Sequence, residues 1–276
     1  KVKSRLVARG DQQDRTLYEG EDLSATTVTC MSVFTLLAIA AHEKRKLCTA
    51  DVGGAYLNAS MGTEGPPVYM LIEPSLASML TEMDERYEKA IRPNGTVIAR
   101  LDKCLYGCIE SARKWQINMM KTMDENDMEP NVYDPCVLNK TCRDGAQLTI
   151  AVYVDDILMT STNVEEMEEI LTALRNRYGD VKHNRGDVIE FLGMSIDMSI
   201  PGSASITMKG MERSIVEDSP TEARPRKTNS PAADNIFDID VDSPLLSEQD
   251  RKKIHGIVAR LLYLAKRMRP ECLMAV

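Results

Sequence analysis

Two adjacent carboxylates interrupt an otherwise apolar run, "TIAVYVDDILMTS", Thr149 to Ser161. Asp155 and Asp156 follow Ile150, Ala151, Val152, Tyr153 and Val154, and precede Ile157, Leu158 and Met159. Apolar runs on both sides of the acids fit a tight hairpin with the acids at its tip. Asp is a good turn residue, so a plain turn explains the dipeptide as well as any chemistry does when it is taken alone. Two facts weigh against the plain turn. No Gly or Asn is present to supply the positive φ that two-residue hairpins favour. Two carboxylates about 5 Å apart at an effective dielectric of about 20 also repel by roughly 3 kcal/mol. An Asn-Gly turn would avoid that cost, and a divalent cation would offset it.

Asp51 is the natural third acid. It lies at the end of the strand candidate "KLCTADV", with Gly53 and Gly54 just beyond, which leave the backbone bare for something to approach closely. An Asp that merely caps the next turn is the plain alternative. Three carboxylates on two adjacent strands make a cradle for two Mg²⁺ ions, which take hard oxygen ligands and keep water and phosphate in the rest of their shell. Two ions about 4 Å apart can activate a hydroxyl and stabilise the leaving oxygen of an in-line phosphoryl transfer.

At 276 residues the chain can bury a sizeable core, as one large domain or two smaller ones. No apolar run approaches the roughly 20 residues that span a bilayer. The longest, "FTLLAIAA" (Phe34 to Ala41), has the length of a core helix. No basic-then-apolar leader directs the chain to secretion. Its 7 cysteines are odd in number and not spaced as a disulfide framework. Cys104 and Cys108 have no second pair and no nearby histidine, so they do not make a zinc set. Reduced, mostly buried thiols in an intracellular protein are expected. The net charge of −8 argues mildly against a nucleic-acid binder, but both ends are basic, while Ala233 to Asp250 carries acids and no Lys or Arg. Such a distribution can still form a local groove for phosphates. The start on Lys1 and the stop inside "CLMAV" predict a piece of a longer polypeptide.

The opening "KVKSRLVARG" alternates and predicts a strand with Lys1, Lys3 and Arg5 on one face. "TCMSVFTLLAIAAHEK", "SLASMLTEMDERYEKA" and "ESARKWQINMMKTMDEN" predict helices, the last amphipathic, with short strands at "VYMLI" and "VIARL". "VEEMEEILTALRNRY" predicts a 15-residue helix ended by Gly179. "VIEFLGMSIDM" and "SASITM" predict a hairpin around Pro201-Gly202. Residues 219–243 read as a linker, and "SEQDRKKIHGIVARLLYLAKRM" as a final helix with an N-cap serine. Strands and helices without a regular βαβ repeat predict an α+β fold.

"RLVARG", "ADVGGAYL", "LDKCLYG", "YVDDIL", "FLGMSI" and "LLYLAKRMRP" occur in this order from near Lys3 to Ala275. Together they resemble the reverse transcriptase region of copia-type LTR retrotransposons. The resemblance implies a right-hand polymerase with an antiparallel palm sheet packed on helices. Residues 1–218 would be fingers, palm and the start of the thumb, 219–243 a linker, and 244–276 the start of a connection towards an RNase H domain. It assigns Asp51, Asp155 and Asp156 as catalytic metal ligands. Lys3 and Arg5 would bind the incoming triphosphate. Tyr56 would pack beneath the deoxyribose and exclude a 2′-hydroxyl, with Ala55 lining the same pocket through its backbone. Tyr106 and Gly107 would lie beside the nascent base pair. Tyr153 and Val154 would face the primer end, and Phe191, Leu192, Gly193 and Met194 would hold it.

The implied cofactor is a pair of Mg²⁺ ions, with Mn²⁺ as an alternative. The implied partners are an RNA or DNA template with its primer, deoxynucleoside triphosphates, and flanking integrase and RNase H domains, with no membrane. The implied setting is intracellular, in a cytoplasmic particle or the nucleus. The sequence also departs from the family. "LYG" is usually followed there by Leu-Lys-Gln-Ala-Pro-Arg, but here by Cys108-Ile109-Glu110-Ser111-Ala112-Arg113. These changes remove positive charge near the expected template path, and Gly53 stands where a Lys is common. An RNA-directed DNA polymerase is the leading reading. A catalytically degenerate remnant that only binds nucleic acid or serves as a structural module is the alternative. Another two-metal phosphotransferase is a third, with no second nucleophile in the sequence to support it.

Overall fold

The computed structural model describes residues 5–18, 23–62, 67–219, 230–232, 236–238 and 240–276. Its helices are α1 (Cys30–His42), α2 (Pro74–Met83), α3 (Ser111–Asp124), α4 (Val164–Tyr178), α5 (Lys209–Asp218) and α6 (Glu248–Ala265). Its strands are β1 (Lys46–Val52), β2 (Tyr69–Ile72), β3 (Val97–Arg100), β4 (Glu129–Pro130), β5 (Val137–Thr141) and β6 (Gln147–Tyr153). They continue with β7 (Asp156–Ser161), β8 (Val181–Arg185), β9 (Val188–Phe191), β10 (Met194–Asp197) and β11 (Ser205–Thr207). Six strands form one sheet in the order β4-β5-β6-β7-β1-β8, three more run β11-β10-β9, and β2 pairs with β3. The chain divides into two compact units. One comprises residues up to Val28, Ala50–Ile157 and Asn163–His183; the other comprises Thr29–Thr49, Leu158–Thr162 and Asn184–Val276.

In the first unit, β5 and β6 pair antiparallel from Val137↔Ala151 to Thr141↔Gln147. Leu148 to Val152 are buried without alternation, so this strand is covered on both faces, and its apolar run carries no period of 2. Helix α3 buries Trp115, Met119, Thr122 and Met123, and α4 buries Met167, Ile170, Leu171, Leu174 and Tyr178, each a stripe at helical spacing. Both ends of α4 are set locally. Asn163 Oδ1 accepts the Glu166 amide at 3.0 Å, and the Gly179 amide donates to the Arg175 carbonyl at 2.8 Å.

Glu166, in the first turn of α4, is 1% exposed. Its Oε1 accepts from the Arg143 amide and from Arg143 Nε, both at 3.0 Å. Lys140 Nζ lies 3.2 Å from Oε2, an ion pair set off the hydrogen-bonding direction. The Arg143 amide, then the Arg143 and Lys140 side chains, hold this carboxyl down at about 2. A depressed carboxylate contributes stability above its ordinary range, and that contribution is lost as pH falls from 4.5 through about 2. Glu166→Gln is expected to cost about 1–3 kcal/mol at pH 7 and to flatten the acid limb of stability against pH. Urea melts across that range check this; an unaltered acid limb would show that the pairing contributes nothing.

In the second unit, α1 is capped by Thr29 Oγ1, which accepts the Ser32 amide at 3.1 Å. Arg260 of α6 donates to Ser214 Oγ at 2.9 Å and Asp218 Oδ2 at 2.7 Å on α5. Strands β9 and β10 pair antiparallel from Val188↔Asp197 to Phe191↔Met194.

Three expectations change. Residues 5–9 have no regular structure, and Gly10–Gln12 is one 3-10 turn; the Ala8 amide bonds instead to the Tyr106 carbonyl at 2.7 Å. "VIEFLGMSIDM" is two strands that turn at Leu192-Gly193, not one. The helix begun at Pro74 stops at Met83, because Asp84 is extended (φ −152) and its carboxylate caps a 3-10 stretch, Glu85–Ala90. Of the expected linker, residues 220–229, 233–235 and 239 lie outside the described residues. Among the described residues no helix is long and apolar enough to cross a membrane.

Candidate active site

The carboxylates lie at the ends of three neighbouring strands in the first unit. Asp51 is the penultimate residue of β1, Val154 and Asp155 form the two-residue turn between β6 and β7, and Asp156 begins β7. The Val52 amide donates to the Asp155 carbonyl at 3.1 Å, which ties the end of β1 to the turn. The positive φ such a turn requires falls on Val154, at +58°. For a β-branched residue this is an outlier costing about 1–2 kcal/mol, and it persists only where the surroundings impose it. Trp115 of α3 is one such restraint. It is 1% exposed, its Nε1 donates to the Val154 carbonyl at 2.8 Å, and its ring meets Tyr178 edge-on at 5.1 Å.

The acids are half-buried and feel one another. Asp156 is pushed up to about 6, first by burial, then by the charges of Asp155 and Asp51. Burial also raises Asp155, and Asp51 adds to the rise, while its own amide and Arg5 oppose it. The donor set is the hard-oxygen kind that Mg²⁺ takes, and the mutual charge is what a cation would relieve. Among the described residues, however, no three His, Cys, Asp or Glu side chains converge on a common metal position as they stand.

Beyond Asp51 the chain enters a short 3-10 helix, Ala55–Asn58, with Ala55 fully buried and Tyr56 half-buried. The bare backbone of Gly53 is approached by the chain's own Asp180. The Gly53 amide donates to the Asp180 carbonyl at 2.8 Å, and a Cβ at Gly53 would lie 2.4 Å from Asp180 Oδ2. The rings of Tyr56 and Tyr106 pack at 4.6 Å, tilted by 51°, and the Arg5 guanidinium lies 5.4 Å above the Tyr106 ring. Burial raises the phenols of both tyrosines, and Asp155 adds to both.

Arg5, Asp51, Ala55, Tyr56, Tyr106, Gly107, Tyr153, Val154, Asp155 and Asp156 thus all belong to the first unit. Lys3 lies outside the described residues. Phe191, Leu192, Gly193 and Met194 belong to the second unit, where Phe191 (3%) and Met194 (1%) are core side chains and the turn itself is what remains accessible. Leu192 also has a positive φ, +50°. Tyr263 Oη of α6 donates to its carbonyl at 2.8 Å, and the Arg267 guanidinium covers the Tyr263 ring at 3.5 Å. Trp115 and Tyr263 escaped the reading of the sequence, where each is one more apolar position on an amphipathic helix.

The family model of reverse transcriptases (RNA-dependent DNA polymerases) matches residues 1–229. The chain belongs to that family. Its copia-type character is borne out by Gag-Pol polyproteins of Saccharomyces cerevisiae. Transposon Ty1-NL2 Gag-Pol is 27% identical over 262 residues, 92% of this chain and 14% of that one. Transposon Ty1-DR5 Gag-Pol is 26% identical over 265 residues, 92% of this chain and 13% of that one. The chain therefore spans about one-seventh of the length of these curated relatives. Among solved structures, a foamy viral protease–reverse transcriptase in complex with double-stranded DNA superposes with a TM-score of 0.40 at 14% identity, over 87% of this chain and 30% of that one. A telomerase from Candida albicans with a fragment of telomeric RNA gives 0.37 at 12% identity, over 93% and 45%. The expected α+β class is what the described helices and sheets show.

One departure from the family reads differently in the structure. Glu110, one of the changes that remove positive charge near the expected template path, is 3% exposed; Tyr18 Oη donates to its Oε1 at 3.0 Å and Gln13 Nε2 to its Oε2 at 3.1 Å. Its carboxylate is spent on internal contacts.

Proposed function

We propose that this reverse transcriptase domain adds deoxynucleotides to a primer 3′-hydroxyl on an RNA or DNA template and releases pyrophosphate. The observation that carries the reading is that Asp51, Asp155 and Asp156 lie close enough for their charges to act on one another: Asp156 is pushed up to about 6, first by burial and then by Asp155 and Asp51. These three residues would hold two Mg²⁺ ions, with Mn²⁺ as an alternative. When bound, such ions lower the pKa of the attacking hydroxyl and take up charge on the leaving oxygen.

The chain's own groups do the rest. Arg5, beside Tyr106, offers a guanidinium to the triphosphate, together with Lys3. Tyr56, backed by the Tyr106 ring, lies beneath the sugar and rejects a 2′-hydroxyl, with the Ala55 backbone beside it. Gly107 borders the nascent base pair, Tyr153 and Val154 meet the primer end, and the Phe191–Met194 turn holds it. Residues 1–218 act as fingers, palm and the start of the thumb, and 244–276 begin a connection; integrase and RNase H domains flank them in the parent polyprotein.

The test is extension of an oligo(dT) primer on poly(rA) with Mg²⁺. Extension that is abolished by chelation and restored by Mg²⁺ or Mn²⁺ is expected. Retained RNA binding with no extension at any Mg²⁺ or Mn²⁺ concentration would overturn the reading in favour of a degenerate nucleic-acid-binding module.

A further inference from the structure

Residues 5–9, which include Arg5, form no strand or helix, yet the segment crosses Tyr106-Gly107 at backbone distance. The Ala8 amide donates to the Tyr106 carbonyl at 2.7 Å. A Cβ on Gly10 would lie 2.0 Å from the Gly107 carbonyl oxygen, and one on Gly107 would lie 2.0 Å from that of Ala8. Contact this close needs something to keep the two chains registered. Glu110, at the start of α3, is placed to do so. The Gln13 amide is used at both ends: its Oε1 accepts from the Ile109 amide at 2.9 Å, and its Nε2 donates to Glu110 Oε2 at 3.1 Å and to Tyr18 Oη at 3.2 Å. Tyr18 Oη in turn donates to Glu110 Oε1 at 3.0 Å. Burial and the Glu110 carboxylate push the Tyr18 phenol up to about 12, so it remains a donor at any working pH.

We infer that Glu110 is a positioning residue: its buried carboxylate latches Gln13 and Tyr18, seats residues 5–18 across Tyr106-Gly107, and so sets where Arg5 meets the incoming triphosphate. The latch is a matter of acceptors. Both partners point donors at Glu110, and only a carboxylate accepts on both oxygens. A Gln at 110 accepts from one partner only: turned to accept from Gln13, it presents its amide to Tyr18 Oη and displaces that hydroxyl's proton; turned to accept from Tyr18, it sets a donor against Gln13 Nε2. Rotating the Gln13 amide to meet it sets donor against donor at the Ile109 amide. Exchanging the two residues relieves the conflict between positions 13 and 110: a Glu at 13 accepts from Ile109 and from the new amide at 110, whose oxygen still accepts from Tyr18, while the bond from position 13 to Tyr18 Oη is lost.

The nucleotide part of this inference rests on the proposed polymerase reading, so the experiment has two readouts. Glu110→Gln, Glu110→Ala and the exchange Gln13→Glu/Glu110→Gln are compared with wild type in the full chain. Without nucleotide, amide hydrogen exchange at Ala8 and Ile109 is expected to speed up by about tenfold in Glu110→Ala, by less in Glu110→Gln, and to recover part of the way to wild type in the exchange. In extension of oligo(dT) on poly(rA), the KM for dTTP should rise by up to about tenfold in the single variants with kcat within about twofold, and the exchange should restore it in part. Unchanged protection in both single variants, or an exchange that restores neither protection nor KM, overturns the latch. A fall in kcat at constant KM overturns its link to the triphosphate. A wild-type chain that incorporates no nucleotide overturns the polymerase reading, while the exchange data still decide the latch.

Discussion

Replacing Asp155 with Asn should lower primer extension by about 10²- to 10³-fold, the scale on which loss of one preorganised charge-stabilising group acts in catalysis. The change keeps the size of the side chain and its fitness for a turn, so the hairpin survives and only the charge is lost. A second effect runs the other way. The carboxylates are half-buried beside one another, and Asp156 is held at about 6. A carboxylate raised in the folded chain contributes most below its ordinary value of 3.8, and that contribution is lost as pH rises through about 6. At pH 7 the metal-free chain therefore carries a destabilising charge cluster. Asp156→Asn should raise its stability by roughly 1–2 kcal/mol, allowing for solvent screening of a half-exposed group, while extension collapses as it does for Asp155→Asn. Extension rates and thermal melts in chelator check both halves. Variants that extend like wild type would remove these acids from the chemistry. Variants no more stable than wild type would show that their mutual charge costs the fold nothing.

Trp115→Ala carries the largest expected cost to the fold, about 3–5 kcal/mol in urea denaturation. The indole fills the interior beside Tyr178, and its N–H donates to the Val154 carbonyl at 2.8 Å. Trp115→Phe separates the two roles. It keeps most of the apolar volume but leaves that carbonyl without the indole donor, at about 1–3 kcal/mol. The turn then loses a restraint on a residue whose φ of +58° opposes it. Trp115→Phe is accordingly expected to impair extension more than its loss of stability explains, at temperatures where it remains folded. If it matched wild type in both melts and extension, the indole would not be what fixes the acid-bearing turn.

What the sequence made legible was local. The hairpin around Asp155 and Asp156 could be read because apolar runs flank the acids on both sides, and α4 because Asn163 and Gly179 bound it within a few residues. The three acids were legible as a set only because each sits where an apolar run ends. The N-terminal strand failed because alternating charge records a pattern and not a partner; the observed tie from Ala8 runs to Tyr106. The supports of the site were illegible for the same reason. Glu110 is 92 residues from Tyr18, Trp115 is 39 from Val154, and Tyr263 is 71 from Leu192. The turn inside "FLGM" was hidden because Leu192, not only its glycine neighbour, adopts positive φ.

The Gly10–Gly107 crossing bears on how such a chain can be altered. Two main chains share the space that one side chain would need, with 2.0 Å left for any added carbon. Positions 10 and 107 are therefore locked to each other although they are far apart in sequence. In chimaeras with a Ty1-type relative, the N-terminal arm and the loop from Tyr106 to Arg113 form a single exchangeable part. Either one grafted alone would bring a foreign backbone against a surface with no clearance for it.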